Sequence, residues 1–294
     1  MASELAADRL STNTTPQVFH TLSPNRIEVY DQASELILYN EASNQMVQLT
    51  ETDDILETFP SWSPDGEYLY YCSAALGEDY WQKDPQGREV LDERGEKKIA
   101  PEALKRIRYN ISRMRFHPES ASFDPPEVVV DAPAEEKSAI HPRVSPDGRF
   151  LLYTISAYGS FPIWHRDAEL EMLDLAGGEK IPTEAINSPE SESWHMWDSS
   201  GRWLVFASRR DDTLYTRLYF AHIDSDGRFA KPFMLPQKDP DDNKLRMMAY
   251  NIPELLVRPV TVPGSMIARD MVTDSPSRPE WVERLDTPLP QGTP

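Results

Sequence analysis

Two short strings in this chain gather residue types from which a binding site can be built. "FPIWHR" sets Trp164, His165 and Arg166 side by side, and "SRRDD" does the same for Arg209, Arg210, Asp211 and Asp212. A third string, "WHMWDSSG", carries Trp194 and His195. Such groups either line a ligand or partner site or form an Arg–Asp ion-pair network that locks the structure together. Beside them the chain shows no G-x-S-x-G elbow, no H-E-x-x-H, no P-loop and no C-x-x-C. A non-catalytic protein without cofactor or metal is the expectation. His20, His117, His141, His165, His195 and His222 are scattered singly, with no second ligand at metal spacing on a common strand face, and are expected to be hydrogen-bonded structural groups. "DSDG" at Asp224 to Gly227 resembles a calcium loop only faintly, because Leu235 stands where a bidentate glutamate is required; it reads as a turn. Trp62 and Trp197 offer stacking platforms, yet they share one repeat position, and packing explains them as well.

The chain that must position these groups has 294 residues, enough for one large all-β domain or two ordinary ones. Its 49 acidic residues against 30 basic ones give a net charge of −19, which repels a polyanion and argues against nucleic acid as a partner. The single cysteine, Cys72, allows no intrachain disulfide, so the fold rests on its core. No stretch approaches the ~18 apolar residues of a membrane span. The opening "MASELAADRLSTNTTPQ" lacks the apolar centre of a secretion signal.

The positioning elements are legible as a repeat. "FPSWSPDGEYLYYCS", "HPRVSPDGRFLLYTIS" and "WHMWDSSGRWLVFAS" align so that Gly66, Gly148 and Gly201 fall in one column. In the first two, Pro64 and Pro146 preset φ at the first corner of a turn, Asp65 and Asp147 tolerate the second, and the glycine takes the left-handed position that closes a hairpin. The third copy keeps only the glycine, as a turn can. Each turn is followed by a nearly continuous apolar run, Tyr68 to Cys72, Phe150 to Thr154 and Trp203 to Ala207, which needs cover on both faces.

Two more strands follow in each unit: "ELILYN" then "NQMVQLT", "ELEMLDL" then "GGEKIPT", and "RLYFAHI" then "DSDGRFAKPFML". Four short strands per unit of roughly 50 residues predict an all-β fold of four-stranded β-propeller blades, either complete or part of a larger ring. Residues 78–108 are a charged insertion of about 30 residues in one unit, ending in a short helix from Pro101 that presents Leu104 and Ile107. The organisation expected is an unstructured extension at 1–15, blades over 16–256, and a Pro-rich extended tail at 257–294 that can alternatively supply closing strands from Met247 to Tyr250 or "LLVRPVTV". Trp164 to Arg166 and Arg209 to Asp212 fall at equivalent ends of successive blades, hence on one rim.

The "SPDG" hairpins with their aromatic strands resemble the TolB-like class of bacterial envelope β-propellers, built from WD40-like (PD40) repeats. "FPIWHRDAELEMLDL", "SRRDDTLYTRLYF" and "KPFMLPQKDP…YNIPEL" are similar to the C-terminal portion of longer bacterial propellers labelled TolB-like or cytochrome c biogenesis related. The resemblance spans roughly residues 16 to 256. Such relatives are longer at the N-terminus and can carry a Cys-x-x-Cys-His haem attachment there; this chain has none, so no haem is expected. The resemblance implies a periplasmic or envelope-associated scaffold whose rim or channel docks another envelope protein or a peptide-like ligand. Two other readings stay open: the gating propeller of a prolyl-oligopeptidase-like hydrolase, and a small-molecule or glycan-binding propeller.

Overall fold

The computed structural model describes residues 9–14, 17–23, 26–31, 33–52, 54–92, 95–250, 252–273 and 279–283. The chain opens with β1 (Arg9–Thr14), the hairpin β2 (Gln17–Ser23) and β3 (Arg26–Asp31), then β4 (Glu35–Asn40) and β5 (Gln45–Gln48). Next come β6 (Ile55–Trp62), β7 (Tyr68–Ala75), β8 (Asn110–His117), β9 (Ser122–Phe123) and β10 (Glu127–Val130). The third group is β11 (Ser138–Val144), β12 (Phe150–Ser156), β13 (Glu169–Asp174) and β14 (Lys180–Ile181). The fourth is β15 (Glu192–Trp197), β16 (Trp203–Ser208), β17 (Arg217–His222) and β18 (Phe233–Met234). Helices α1 (Asp242–Leu245) and α2 (Gly264–Thr273) and the strand β19 (Glu280–Trp281) follow.

In chain order the first sheet is β1-β4-β5-β19, and the second, third and fourth, β6-β7-β8-β10, β11-β12-β13-β14 and β15-β16-β17-β18, repeat one meander three times. Apolar runs on β7, β12 and β16 are buried on both faces, as blades require, apart from Trp203 at the start of β16. Leu69, Tyr71 and Met114 pack with Leu36 of the first sheet, whereas Tyr70 and Ile111 pack with Leu151, Tyr153 and Ile155 of the third. On the other side of the third sheet, Phe150, Leu152, Leu170 and Met172 meet Leu204, Phe206, Tyr219 and Ala221 of the fourth. These shared cores make the chain a β-propeller, nearly all-β. The far face of the fourth sheet carries Trp203, Phe220, His222 and Phe233 in ring contact, with Trp203 and Phe233 exposed.

The recurring turn does what its residues dictate. Gly66, Gly148 and Gly201 have φ of 72°, 74° and 66°, a region that costs a residue with a Cβ about 1–2 kcal/mol. The glycine N–H donates to Ser63 O, Ser145 O and Asp198 O respectively. In the first two copies a serine hydroxyl accepts from the backbone N–H of Tyr68 or Phe150; in the third the Asp198 carboxylate accepts from Trp203 N. A short polar side chain thus holds the first turn position in all three copies, and the third closes with Ser199 where the others have proline. "DSDG" is likewise a turn, with Gly227 at φ 82° and Asp224 Oδ1 accepting from the N–H groups of Asp226 and Arg228.

Three sequence expectations need correction. Arg9–Thr14, placed in an unstructured extension, is a strand paired with β4, because β4 and β5 alone would leave a sheet edge unfilled; residues 1–8 and 15 lie outside the described residues. The tail at 257–294 is not simply extended: Gly264–Thr273 is helical. Its closing strand comes from neither Met247 to Tyr250 nor "LLVRPVTV" but from Glu280–Trp281, which runs parallel to β5 beside Gln45 and Met46. The insertion at 78–108 forms a 3-10 turn at Leu104–Arg106, and Leu104 and Ile107 are buried with Leu56, Cys72 and Ile140. Among the described residues no helix is long and apolar enough to cross a membrane.

Candidate functional site

Each first strand of the second, third and fourth sheets carries the same irregularity. Register shifts by one extra residue between Thr58 and Ser61, between Ile140 and Arg143, and between Ser193 and Met196. These are β-bulges, and at each the bulged residue has positive φ: Phe59 at 52°, His141 at 55° and Trp194 at 50°. For bulky residues this conformation is strained by roughly 1–3 kcal/mol each and persists only where the surroundings hold it.

Those surroundings are the bulged residues themselves. His141 stacks on Trp194 with ring centroids 4.0 Å apart, and Phe59 stands edge-on to His141 at 4.3 Å. Phe161, from the loop after β12, joins Phe59 at 5.7 Å and Trp194 at 6.1 Å. Four rings from three sheets thus meet along the first strands, which line the inner side of the arc. His141 is 2% exposed, while Phe59, Phe161 and Trp194 are half-buried.

A buried polar relay supports this ring cluster. His195 Nε2 donates to Leu152 O at 3.0 Å, and its Nδ1 lies 3.5 Å from Thr154 Oγ1. Thr154 donates to Ser193 Oγ at 3.4 Å, which lies 3.3 Å from His141 Nδ1. His141 Nε2 is buried with no hydrogen-bond partner. Burial holds His141 well below the usual imidazole range, aided by the charges of His195 and Arg143. Burial and the Arg143 charge push His195 down to about 3. Both rings are neutral near pH 7.

Of the residues singled out by sequence, the rim group is partly brought together. Trp164 ends a 3-10 turn at Pro162–Trp164, in the loop between β12 and β13, and the Arg209 guanidinium lies 4.4 Å from its ring centroid, bridging the third and fourth sheets. Arg166 is exposed and pairs with Glu190 at 3.0 Å. His165 is buried against the Tyr158 ring at 4.4 Å. Asp211 is exposed, and its carboxylate meets the Tyr219 hydroxyl. Asp212, also exposed, accepts from Leu214 N and Tyr215 N and lies 3.6 Å from Arg217.

Arg210 departs from the expected Arg–Asp network. Its partner is Glu192 on β15, at 2.9 Å and fully buried, and it also donates to Ile186 O at 2.6 Å. Burial raises the Glu192 pKa, opposed by Ser188, Arg210 and Ser208, which all bond its carboxylate. Arg210 therefore ties the fourth sheet to the segment leading out of the third. Trp194 and His195 lie not on the rim but in the inner-strand cluster. The histidines are less isolated than their spacing suggests, since the fold joins His141 to His195 through Ser193 and Thr154. Phe59, His141 and Phe161 were missed as a group. The available signal was a ring residue at one fixed distance ahead of each turn glycine. Among the described residues no group of three His, Cys, Asp or Glu side chains is arranged to hold a metal ion.

No sequence-family profile and no curated protein matches this chain. Solved structures similar to it include TolB from Acinetobacter baumannii, at 14% identity over 74% of this chain and 43% of that one, with a TM-score of 0.43. A puromycin-hydrolyzing peptidase of Mycobacterium tuberculosis is similar at 12% identity over 79% of this chain and 38% of that one, TM-score 0.42. The Dos1 propeller is similar at 12% identity over 79% and 60%, TM-score 0.40. The chain spans less than two thirds of the length of each of these three. Its own sheets, sharing apolar faces in sequence order, identify it as a β-propeller chain.

Proposed function

We propose that this chain is a non-catalytic binding propeller of the bacterial envelope, similar in role to TolB-like scaffolds, whose rim docks another protein or a peptide-like ligand. The observation that carries the reading is the contact of Arg209 with Trp164 across two sheets, which fixes a ring and a guanidinium beside the exposed charges of Arg166, Asp211 and Asp212. Backbone bonds to Asp212 and the Arg166–Glu190 pair hold those charges in place before any partner arrives, which lowers the entropy lost on docking. The periplasmic or envelope placement rests on the sequence resemblance of the "SPDG" repeats and the strings that follow them.

The test is capture from envelope extract by the immobilised chain, compared with Arg166→Glu and Asp211→Lys. Both residues are exposed, so the variants should keep the thermal midpoint while losing the captured protein. Repeated capture of nothing by the native chain, or unchanged capture by both variants, overturns the reading. A large stability loss on truncating Arg209 with capture intact supports an interblade lock instead.

A further inference from the structure

One polar group on β11 lacks the partner its burial calls for, and a half-buried cation stands beside it. His141 Nε2 is buried and unbonded. Ser193 Oγ accepts from Thr154 and has its own proton to give to His141 Nδ1 at 3.3 Å; in that tautomer the neutral ring carries its proton on Nε2, a donor without an acceptor. Two residues on, Arg143 donates to Pro142 O at 2.9 Å and forms no ion pair among the described residues. It follows the His141 bulge directly on β11, opposite Leu152, and its carbonyl accepts from Trp197 Nε1 of β15 at 3.1 Å, so it lies beside the ring cluster, in keeping with its charge acting on both His141 and His195. An uncompensated donor at a strained, ring-lined surface is unfavourable for folding alone, because it forfeits hydration without a protein partner.

The chain itself brings an acidic group toward Arg143. After α1, Arg217 donates to Met248 O at 2.7 Å and Arg246 O at 2.9 Å, and Tyr250 N bonds Thr216 O. The segment then reaches β15, where Pro253 is buried and Leu255 N–H meets Met196 Sδ at 3.3 Å. Between them, the exposed Glu254 carboxylate is the acidic group whose charge acts on Arg143. A carboxylate near Arg143, but beyond ion-pair distance, is a weak internal stand-in.

We propose that the inner face shared by β6, β11 and β15 binds a carboxylate carried next to a flat apolar group. Arg143 pairs with the carboxylate, His141 Nε2 donates to it, and Phe59, Phe161 and Trp194 flank the apolar group. Reaching Nε2 takes a rotamer change at Phe59 or Trp194, both half-buried, which is an ordinary adjustment on binding. The inference concerns the inner strands alone and stands whether or not the rim captures a protein. A free aromatic acid and a peptide ending in phenylalanine present the same chemistry, and separate probes distinguish them.

Calorimetric titration with 3-phenylpropionate and its amide, and with a short peptide ending in phenylalanine and its C-terminal amide, tests the site. In at least one pair the acid is expected to bind about tenfold more tightly than the amide, the worth of one charge-assisted contact. Arg143→Gln should erase that preference. Glu254→Gln, at an exposed position that leaves folding intact, should tighten the acid severalfold by removing the internal competitor. Equal affinity of acid and amide in both pairs, no binding up to about 10 mM, or an acid preference that survives Arg143→Gln overturns the proposal. If Arg143→Gln does not fold, Glu254→Gln decides, and unchanged acid affinity in that variant overturns it.

Discussion

Glu57 should make this protein lose stability as the pH rises through neutrality. It lies on β6, 4% exposed, with its backbone N–H donating to Ser34 and Oε2 without a hydrogen-bond partner. Burial pushes its carboxyl from 4.5 up to about 7; a hydrogen bond with Thr50 opposes the rise and the nearby Glu35 charge adds to it. The folded state therefore holds a proton that the unfolded chain releases. Stability from this group is complete below pH 4.5 and is lost as the pH climbs through 7. A rise of that size corresponds to about 3 kcal/mol once ionisation is complete. Glu57→Gln keeps the shape and a bond to Thr50 but cannot ionise. Urea unfolding of both proteins from pH 4.5 to 8.5 should show the variant gaining on the native chain by about 3 kcal/mol across that range. All other groups titrate alike in both proteins, so the difference isolates Glu57. A constant offset would refute the assignment of a buried, neutral Glu57.

Three further outcomes follow from packing. Arg210→Met should cost about 3–5 kcal/mol by stranding the buried Glu192 carboxylate, and adding Glu192→Gln should recover most of it; chemical denaturation of the single and double variants checks this. Gly227→Ala should be the costlier of two turn substitutions: its Cβ would meet Phe150 Cζ at 3.1 Å, whereas a Cβ at Gly148 meets nothing within 4 Å, leaving only about 1–2 kcal/mol of backbone strain there. Thermal midpoints of the two variants should differ accordingly. His195→Gln should resist acid better than the native chain. The native imidazole stays neutral in the fold, so its contribution is present above about pH 6.5 and is lost as the pH falls through 3, which circular dichroism during acid titration would follow.

The repeat was legible because its signals are local. A glycine corner after a short polar residue, then an apolar run, specifies a hairpin of one blade without reference to anything distant, and Gly66, Gly148 and Gly201 all occupy the left-handed region. The pieces that escaped are non-local. β19 has two residues and no periodicity to betray it, and it pairs with a strand more than 200 positions earlier. The bulges escaped for a different reason: Phe and Trp have no intrinsic leaning toward positive φ and His only a modest one, so their backbone is imposed by ring packing between sheets. At the rim, composition marked Arg209 to Asp212 as outside the repeat. It did not reveal that Arg210 reaches back to a fully buried glutamate while its neighbour Arg209 turns outward to Trp164.

The most direct test of the whole arrangement is the imidazole proton spectrum of His141 in the native chain and in Phe59→Leu and Trp194→Leu. Stacking 4.0 Å from the Trp194 ring should hold the His141 signals upfield, and the T-shaped Phe59 ring at 4.3 Å should displace them by a ring current of its own. Each substitution, made in a different sheet from the histidine, should remove that ring's part of the displacement, with Trp194→Leu moving the signals downfield. If the His141 signals stand at ordinary positions, or move with neither substitution, the first strands do not converge and the inner face described here does not exist.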